Sequence, residues 1–173
     1  MKSFLPLAIS FLLFSCGSSV YVDYEKQQDF SEFTTYQFYP DIDSGLNELD
    51  DKRVIAAIDS VLQLRGFSRT DHNRFYINFY VNESISNSRS TISVGIGGGG
   101  GNVGVGVSGG IPIGGRVIDQ RLTIDFIDAT KDQSLVWQAV VTDELKEKAT
   151  PQQKEAYYLS MVGKALKNFP PKK

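Results

Sequence analysis

The chain has 173 residues, 41% of them apolar, 22% charged and 12% aromatic, with a formal net charge of −2. That is one domain's length, enough to bury about two-thirds of the surface the unfolded chain exposes. The balance of 18 Lys and Arg against 20 Asp and Glu argues against a nucleic-acid partner. A single Cys excludes an internal disulfide or a multi-cysteine metal site, and a single His removes most hydrolase and zinc chemistries.

The N-terminus reads MKSFLPLAISFLLFSC. Lys2 supplies a positive start, and Phe4 to Phe14 form an apolar run broken only by Pro6 and Ser10. At ~1.5 Å per residue, a helix of that run crosses only about half of a ~30 Å hydrocarbon core. It is therefore expected to be a signal-peptide core and not a span. Leu13-Phe14-Ser15-Cys16 resembles a bacterial lipobox, with an aliphatic residue at −3, a small one at −1 and Cys at +1. The thiol of Cys16 would take a diacylglycerol. The small Ser15 would fit the peptidase, and cleavage between Ser15 and Cys16 would free an amine for a third, palmitate-like chain. Two such chains already hold a protein stably on a bilayer. The chain's only Cys stands where a lipobox needs it. Residues 1–15 are thus expected to be a lipoprotein signal peptide and 16–19 a lipidated tether. Gly17 follows where an Asp would suggest inner-membrane retention, so the expected address is the outer membrane, facing the periplasm.

The body, residues 20–171, reads as a single domain. Val20 to Tyr24 is β-rich and predicts a first strand, and Asp29 to Phe33 a turn. Thr34 to Tyr39 predicts a second strand, stopped by Pro40. A helix is predicted from Leu49 to Arg65, with Val54, Ile55, Ile58, Val61 and Leu62 on one face, Asn47 as cap and Gly66 as stop. Arg74 to Ser86 predicts a strand with Phe75, Ile77, Phe79 and Val81 on one face and Tyr76, Asn78, Tyr80 and Asn82 on the other.

Residues 95–115 hold 12 of the chain's 16 glycines. Two formal G-x-G-x-x-G matches occur, at Gly95/Gly97/Gly100 and Gly104/Gly106/Gly109, but both run into more Gly, then Ile-Pro and another strand. Phosphate cradling needs the opening of a helix there, so nucleotide binding is not expected. The segment reads as a flexible connection, with Val103, Val105 and Val107 as apolar tips that could touch a membrane or partner. Residues 117–143 predict a hairpin: Leu122, Ile124 and Phe126 alternate with Thr123, Asp125 and Ile127, Asp128 to Gln133 turn, and Leu135, Trp137, Ala139 and Val141 alternate back. The closing helix is punctuated by Thr150, Pro151 and Gln153, a capping box. Tyr158, Leu159, Val162, Ala165, Leu166 and Phe169 form its predicted buried stripe, and Pro170-Pro171 ends it. Two amphipathic helices on one face of a mostly antiparallel sheet, an α+β two-layer domain, cover these elements most economically.

Candidate chemistry is sparse. His72 sits in a polar turn without a nucleophile near it in sequence. Asp125 and Asp128 suggest a carboxylate pair, but their odd spacing puts them on opposite strand faces, and Asp128 suits the turn. Trp137 reads as core, while Tyr76 and Tyr80 form a face able to stack on a ligand. No catalytic residues, cofactor or metal are expected.

The succession Val22-Asp23-Tyr24, Asp29-Phe30-Ser31, Thr35-Tyr36, Arg53-Val54-Ile55-Ala56-Ala57-Ile58, Arg65-Gly66-Phe67 and Phe75-Tyr76-Ile77-Asn78-Phe79 resembles one family. The glycine-rich insert, Leu122-Thr123-Ile124-Asp125, Asp128-Ala129, Leu135-Val136-Trp137-Gln138 and Phe169-Pro170-Pro171 continue the likeness to the bacterial lipoprotein family called domain of unknown function 4136. The resemblance implies an envelope lipoprotein with a small α/β domain anchored by Cys16 and no established activity. The functional expectation is a non-enzymatic scaffold or docking protein. It would be held to the membrane through N-terminal acyl chains and contact another envelope protein. The alternative is a periplasmic binding module for a hydrophobic or glycan ligand.

Overall fold

The computed structural model describes residues 18–87, 91–92, 111–112 and 115–171. Ser15, Cys16 and most of the glycine-rich 95–115 segment lie outside the described residues. The chain runs β1 (Ser19–Tyr24), a 3-10 turn (Phe30–Glu32), β2 (Thr35–Phe38), α1 (Glu48–Gln63), β3 (Ser68–Arg69) and β4 (Phe75–Asn87). It continues through β5 (Thr91–Ile92), β6 (Ile111–Pro112), β7 (Arg116–Asp128), β8 (Leu135–Lys146), α2 (Pro151–Ala165) and a final 3-10 turn (Leu166–Asn168). No helix among the described residues is long and apolar enough to cross a membrane.

The fold is α+β, with a six-stranded sheet in the order β1-β8-β7-β4-β2-β3 and a small β5-β6 pair. The expectation of a mostly antiparallel sheet is corrected: the sheet is mixed. β1, β8, β7 and β4 pair antiparallel, but β2 runs parallel to both β4 and β3. The reason is the α1 crossover. A helix between β2 and β4 returns the chain to the end where β2 began, so both strands point the same way.

Helix ends follow their local chemistry. The Asn47 side chain accepts from the backbone N–H groups of Leu49 and Asp50, both at 3.1 Å. Gly66 takes φ +86° just past α1, a conformation suited to glycine. At α2 the capping box is complete: Gln153 N donates to Thr150 Oγ1 at 3.3 Å, and Thr150 N donates to Gln153 Oε1 at 2.9 Å. Thr150→Ala should therefore lower stability by about 1 kcal/mol, and Thr150→Ser by much less, a difference that urea midpoints resolve. Gly45 has a second requirement. It sits at φ +75°, where a Cβ would meet the Val81 carbonyl oxygen at 2.9 Å, and its neighbour Ser44 accepts from Val81 N at 2.8 Å.

One core cluster joins Phe75, Ile77, Phe79 and Val81 of β4 with Leu122, Ile124 and Phe126 of β7 and Trp137, Ala139 and Val141 of β8. Val54, Ile58 and Leu62 from α1 and Tyr158, Met161, Val162 and Ala165 from α2 complete it. α1 packs on α2, and α2 on β8 and β1. Two predicted core positions are corrected. Leu159 is 48% exposed, and Met161 takes its place in the buried stripe of α2. Leu135 is 51% exposed because the β7–β8 register slips between Phe126 and Ile127, a bulge that turns Val136 inward beside Trp137.

Candidate functional site: the second face of the sheet

The strand period of two puts a different set of residues on the face opposite the core stripe. Register aligns them into cross-strand rows. Tyr21, Val140, Thr123 and Tyr80 form one row, from β1 through β8 and β7 to β4. Asp23, Gln138, Asp125 and Asn78 form the next. Leu135, Ile127, Tyr76 and Gln37 form a third, and Tyr39 meets Tyr76 edge to face at 5.8 Å. Tyr21 is 61% exposed and Tyr80 37%. The surface is thus a polar amide and carboxylate row between two rows that carry tyrosines and aliphatic groups.

Asp125 is one of two carboxylates in the middle row, with Asp23. It is half-buried, and Gln138 Nε2 donates to its Oδ1 at 2.8 Å. Burial pushes its carboxyl above the ordinary value of 3.8, and the Gln138 bond only partly opposes this. A carboxyl raised in this way makes ionisation destabilising: the penalty is absent below the ordinary value, grows as pH rises through it, and is complete above the folded value. Asp125→Asn should therefore be more stable than the parent chain at neutral pH and equal to it below the ordinary carboxylate range. Chemical denaturation at the two pH values checks this. A half-buried carboxyl perturbed by burial on a surface-facing row is a functional-site candidate on physical grounds.

The other singled-out residues fall elsewhere. Asp128 is on the opposite face, fully buried, where it pairs with Arg74 and accepts from Thr130 N and Thr130 Oγ1, both at 2.8 Å. Burial alone would raise its carboxyl, but Arg74 and Thr130 together outweigh burial and hold it below the ordinary range. It is a structural turn residue, so no Asp125–Asp128 pair exists on one face. His72 is exposed in the turn before β4, and Trp137 is core at 1% exposure. A second charged cluster ties the helices together: Asp50 of α1 accepts from Arg53 Nη1 and Lys154 Nζ, both at 2.7 Å, with Lys154 on α2. Among the described residues, no group of His, Cys, Asp or Glu side chains is placed to hold a metal. Tyr21 and the Asn78–Asp125–Gln138 row were not picked out by sequence pattern, because cross-strand register joins residues from four distant segments.

Grooves at the described surface lie outside the packed core. One of about 830 Å³ runs beside Val22, Tyr24, Phe169, Pro170 and Pro171, and one of about 470 Å³ lies between α1 and α2 near Arg53, Ala56 and Leu159.

The described residues define an α+β domain whose prominent feature is a patterned sheet surface. The chain belongs to the family described as Domain of unknown function (DUF4136), matched over residues 20–171. No curated protein matches the chain by sequence. Among solved structures, a PDZ domain protein from Parabacteroides distasonis ATCC 8503 shares the fold at TM-score 0.54 and 13% identity, over 90% of this chain and 37% of that one. This chain thus corresponds to little more than a third of that protein. A PelC dodecamer from Paraburkholderia phytofirmans is similar at TM-score 0.53 and 13% identity, over 91% of this chain and 100% of that one. At such identity the likeness concerns the fold alone.

Proposed function

We propose that this protein is a lipid-anchored, non-enzymatic docking protein of the bacterial envelope, released from its signal peptide between Ser15 and Cys16 and held at the outer membrane by acyl chains on Cys16. In this reading α1 and α2 together cover the core face as the second of two layers. The other face then meets a second envelope protein. The observation that carries the docking role is the second-face pattern, in which the row ending in Tyr21 and Tyr80 and the row carrying Tyr76 lie on either side of the polar Asp125 row. Tyrosines of this kind supply rigid contact area with a polar tip, and buried interface cores favour them.

Two experiments test the two halves. Cys16→Ser should abolish palmitate labelling and move the protein to the soluble fraction; retained label and membrane retention would contradict the anchor. The double variant Tyr21→Ser/Tyr80→Ser changes exposed side chains, so its melting should stay close to that of the parent chain. On native gels of detergent-solubilised envelopes, the parent chain should migrate in a larger complex and the double variant as a monomer. Identical migration would contradict docking through this face. PelC of Paraburkholderia phytofirmans is a dodecamer, so the complex should also be weighed by mass: a multiple of this chain alone would make the occupant a second copy.

The groove of about 830 Å³ beside Tyr24, Phe169 and Pro171 favours a second reading, a site for a hydrophobic ligand, because its size falls in the range of small-molecule pockets. Tyr24→Ala would then weaken binding of an apolar fluorescent probe without affecting complex size.

A further inference from the structure

The topology brings the tether and the longest strands to one end of the sheet. Ser19, the first residue of β1, stands in the row Ser19–Thr142–Arg121–Asn82. β4 and β7 do not stop at that row. They continue as a paired ribbon to Asn87 opposite Arg116, and β8 accompanies them to Lys146 opposite Val117. At ~3.3 Å per residue the ribbon projects about 16 Å beyond the first residue of β1. The link from Ser19 back to Cys16 has only three residue steps, about 11 Å at full extension. Even drawn out along the sheet, the tether is shorter than the ribbon beside it.

The ribbon's side chains fit that placement. Ile85 has the phase of the core residues Phe79 and Val81, yet it is 60% exposed. Its cross-strand partner Ile118 is half-buried, and Ile118 in turn faces the buried Leu145. Ile85, Ile118 and Leu145 thus form an apolar row of their own at the tether end, separated from the core row Val81–Leu122–Val141 by the polar row Glu83–Gln120–Asp143. The surrounding charges are mixed: Arg116 pairs with Glu147 at 3.3 Å, Glu83 and Asp143 stand on the core-phase face, and Arg121, Glu144 and Lys146 on the other.

We infer that the outermost described part of the β4–β7 ribbon, at Ile85 and Ile118, rests against the same lipid surface that holds Cys16. This inference rests on the anchor proposed above. A three-step tether puts Cys16 at the interface and leaves the ribbon end level with it or deeper. An exposed isoleucine at that depth is an interfacial contact, while the mixed charges make the contact independent of anionic lipid. The anchor then fixes the domain's orientation, and the second face stands roughly upright beside the membrane.

The test uses the full lipidated chain in vesicles of phosphatidylethanolamine and phosphatidylglycerol. Acylation occupies the sulfur of Cys16, so Ile85→Cys, Ile118→Cys and Leu64→Cys each offer one thiol for an environment-sensitive dye. Leu64 is 88% exposed at the far end of α1 and serves as the distant reference. The dye at position 85 or 118 should be quenched several-fold more strongly by spin-labelled lipid than the dye at 64, and equally in vesicles without phosphatidylglycerol. Equal quenching at all three positions, with the protein still bound to vesicles, would overturn the inference and leave the anchor standing. Protein that floats free of the vesicles would overturn the anchor and this inference together.

Discussion

Phe126→Ala is expected to lower stability by about 3–5 kcal/mol, a large share of the ~5–15 kcal/mol that holds a domain folded. Phe126 is fully buried, and its ring lies 4.8 Å from that of Phe75, 4.6 Å from that of Trp137 and 4.6 Å from that of Phe169. Those partners come from β4, β8 and the turn after α2, so truncation opens a cavity where three separate segments meet. Phe169 is the means by which the end of the chain is pinned: Arg65 Nη1 donates to the carbonyls of Leu166 and Phe169, the latter at 3.1 Å. Guanidinium unfolding of Phe126→Ala should show a shifted midpoint with an unchanged slope. A midpoint within about 0.5 kcal/mol of the parent would mean this aromatic cluster is not the core.

Arg74→Met should cost a similar amount, about 3–5 kcal/mol at neutral pH, because it leaves Asp128 fully buried without its cationic partner. The pH dependence separates this cause from lost packing, which Arg74 also contributes by lying over the Phe33 ring at 4.7 Å. In the parent chain the depressed carboxyl of Asp128 adds stability above its ordinary value of 3.8, and that stability is lost as pH falls through the folded value. In Arg74→Met the lowering by Arg74 is lost while burial and the Thr130 bonds stay, so the variant loses the part of the stabilisation that depends on Asp128 being ionised. The gap between parent and variant should narrow as the pH drops below the ordinary carboxylate range. A gap constant with pH would assign the cost to packing against Phe33.

What could be read in advance divides along the range of the interactions. The ends of α1 and α2 were legible because Asn47, Gly66 and the Thr150–Gln153 box act within one helical turn. The inward phase of Phe75 to Val81 and of Leu122 to Phe126 was legible because strand alternation is local. Three features were not. The parallel β2–β4 pairing depends on where α1 returns the chain, which no strand pattern encodes. The Leu135–Val136 inversion comes from a bulge that breaks the period of two. Leu159 and Met161 differ in burial because α2 meets both α1 and the sheet, and an apolar stripe does not reveal which flank a neighbouring helix covers. The candidate site shares the difficulty: Tyr76 and Tyr80 were visible on one strand, but their rows with Tyr21, Gln138 and Asp125 exist only after four strands align.

The most direct measurement of the docking account is photocrosslinking in intact envelopes, with a benzophenone side chain placed at one position at a time in the full chain. Positions 21 and 80 sample the second face, and positions 64 and 159 sample exposed leucines of the helices. The account predicts one discrete adduct of the same mass from positions 21 and 80, lost when Asp125→Asn is combined with Tyr21→Ser or Tyr80→Ser at the unlabelled site, and none from 64 or 159. Discrete adducts from the helix positions, with none from the sheet face, would contradict it.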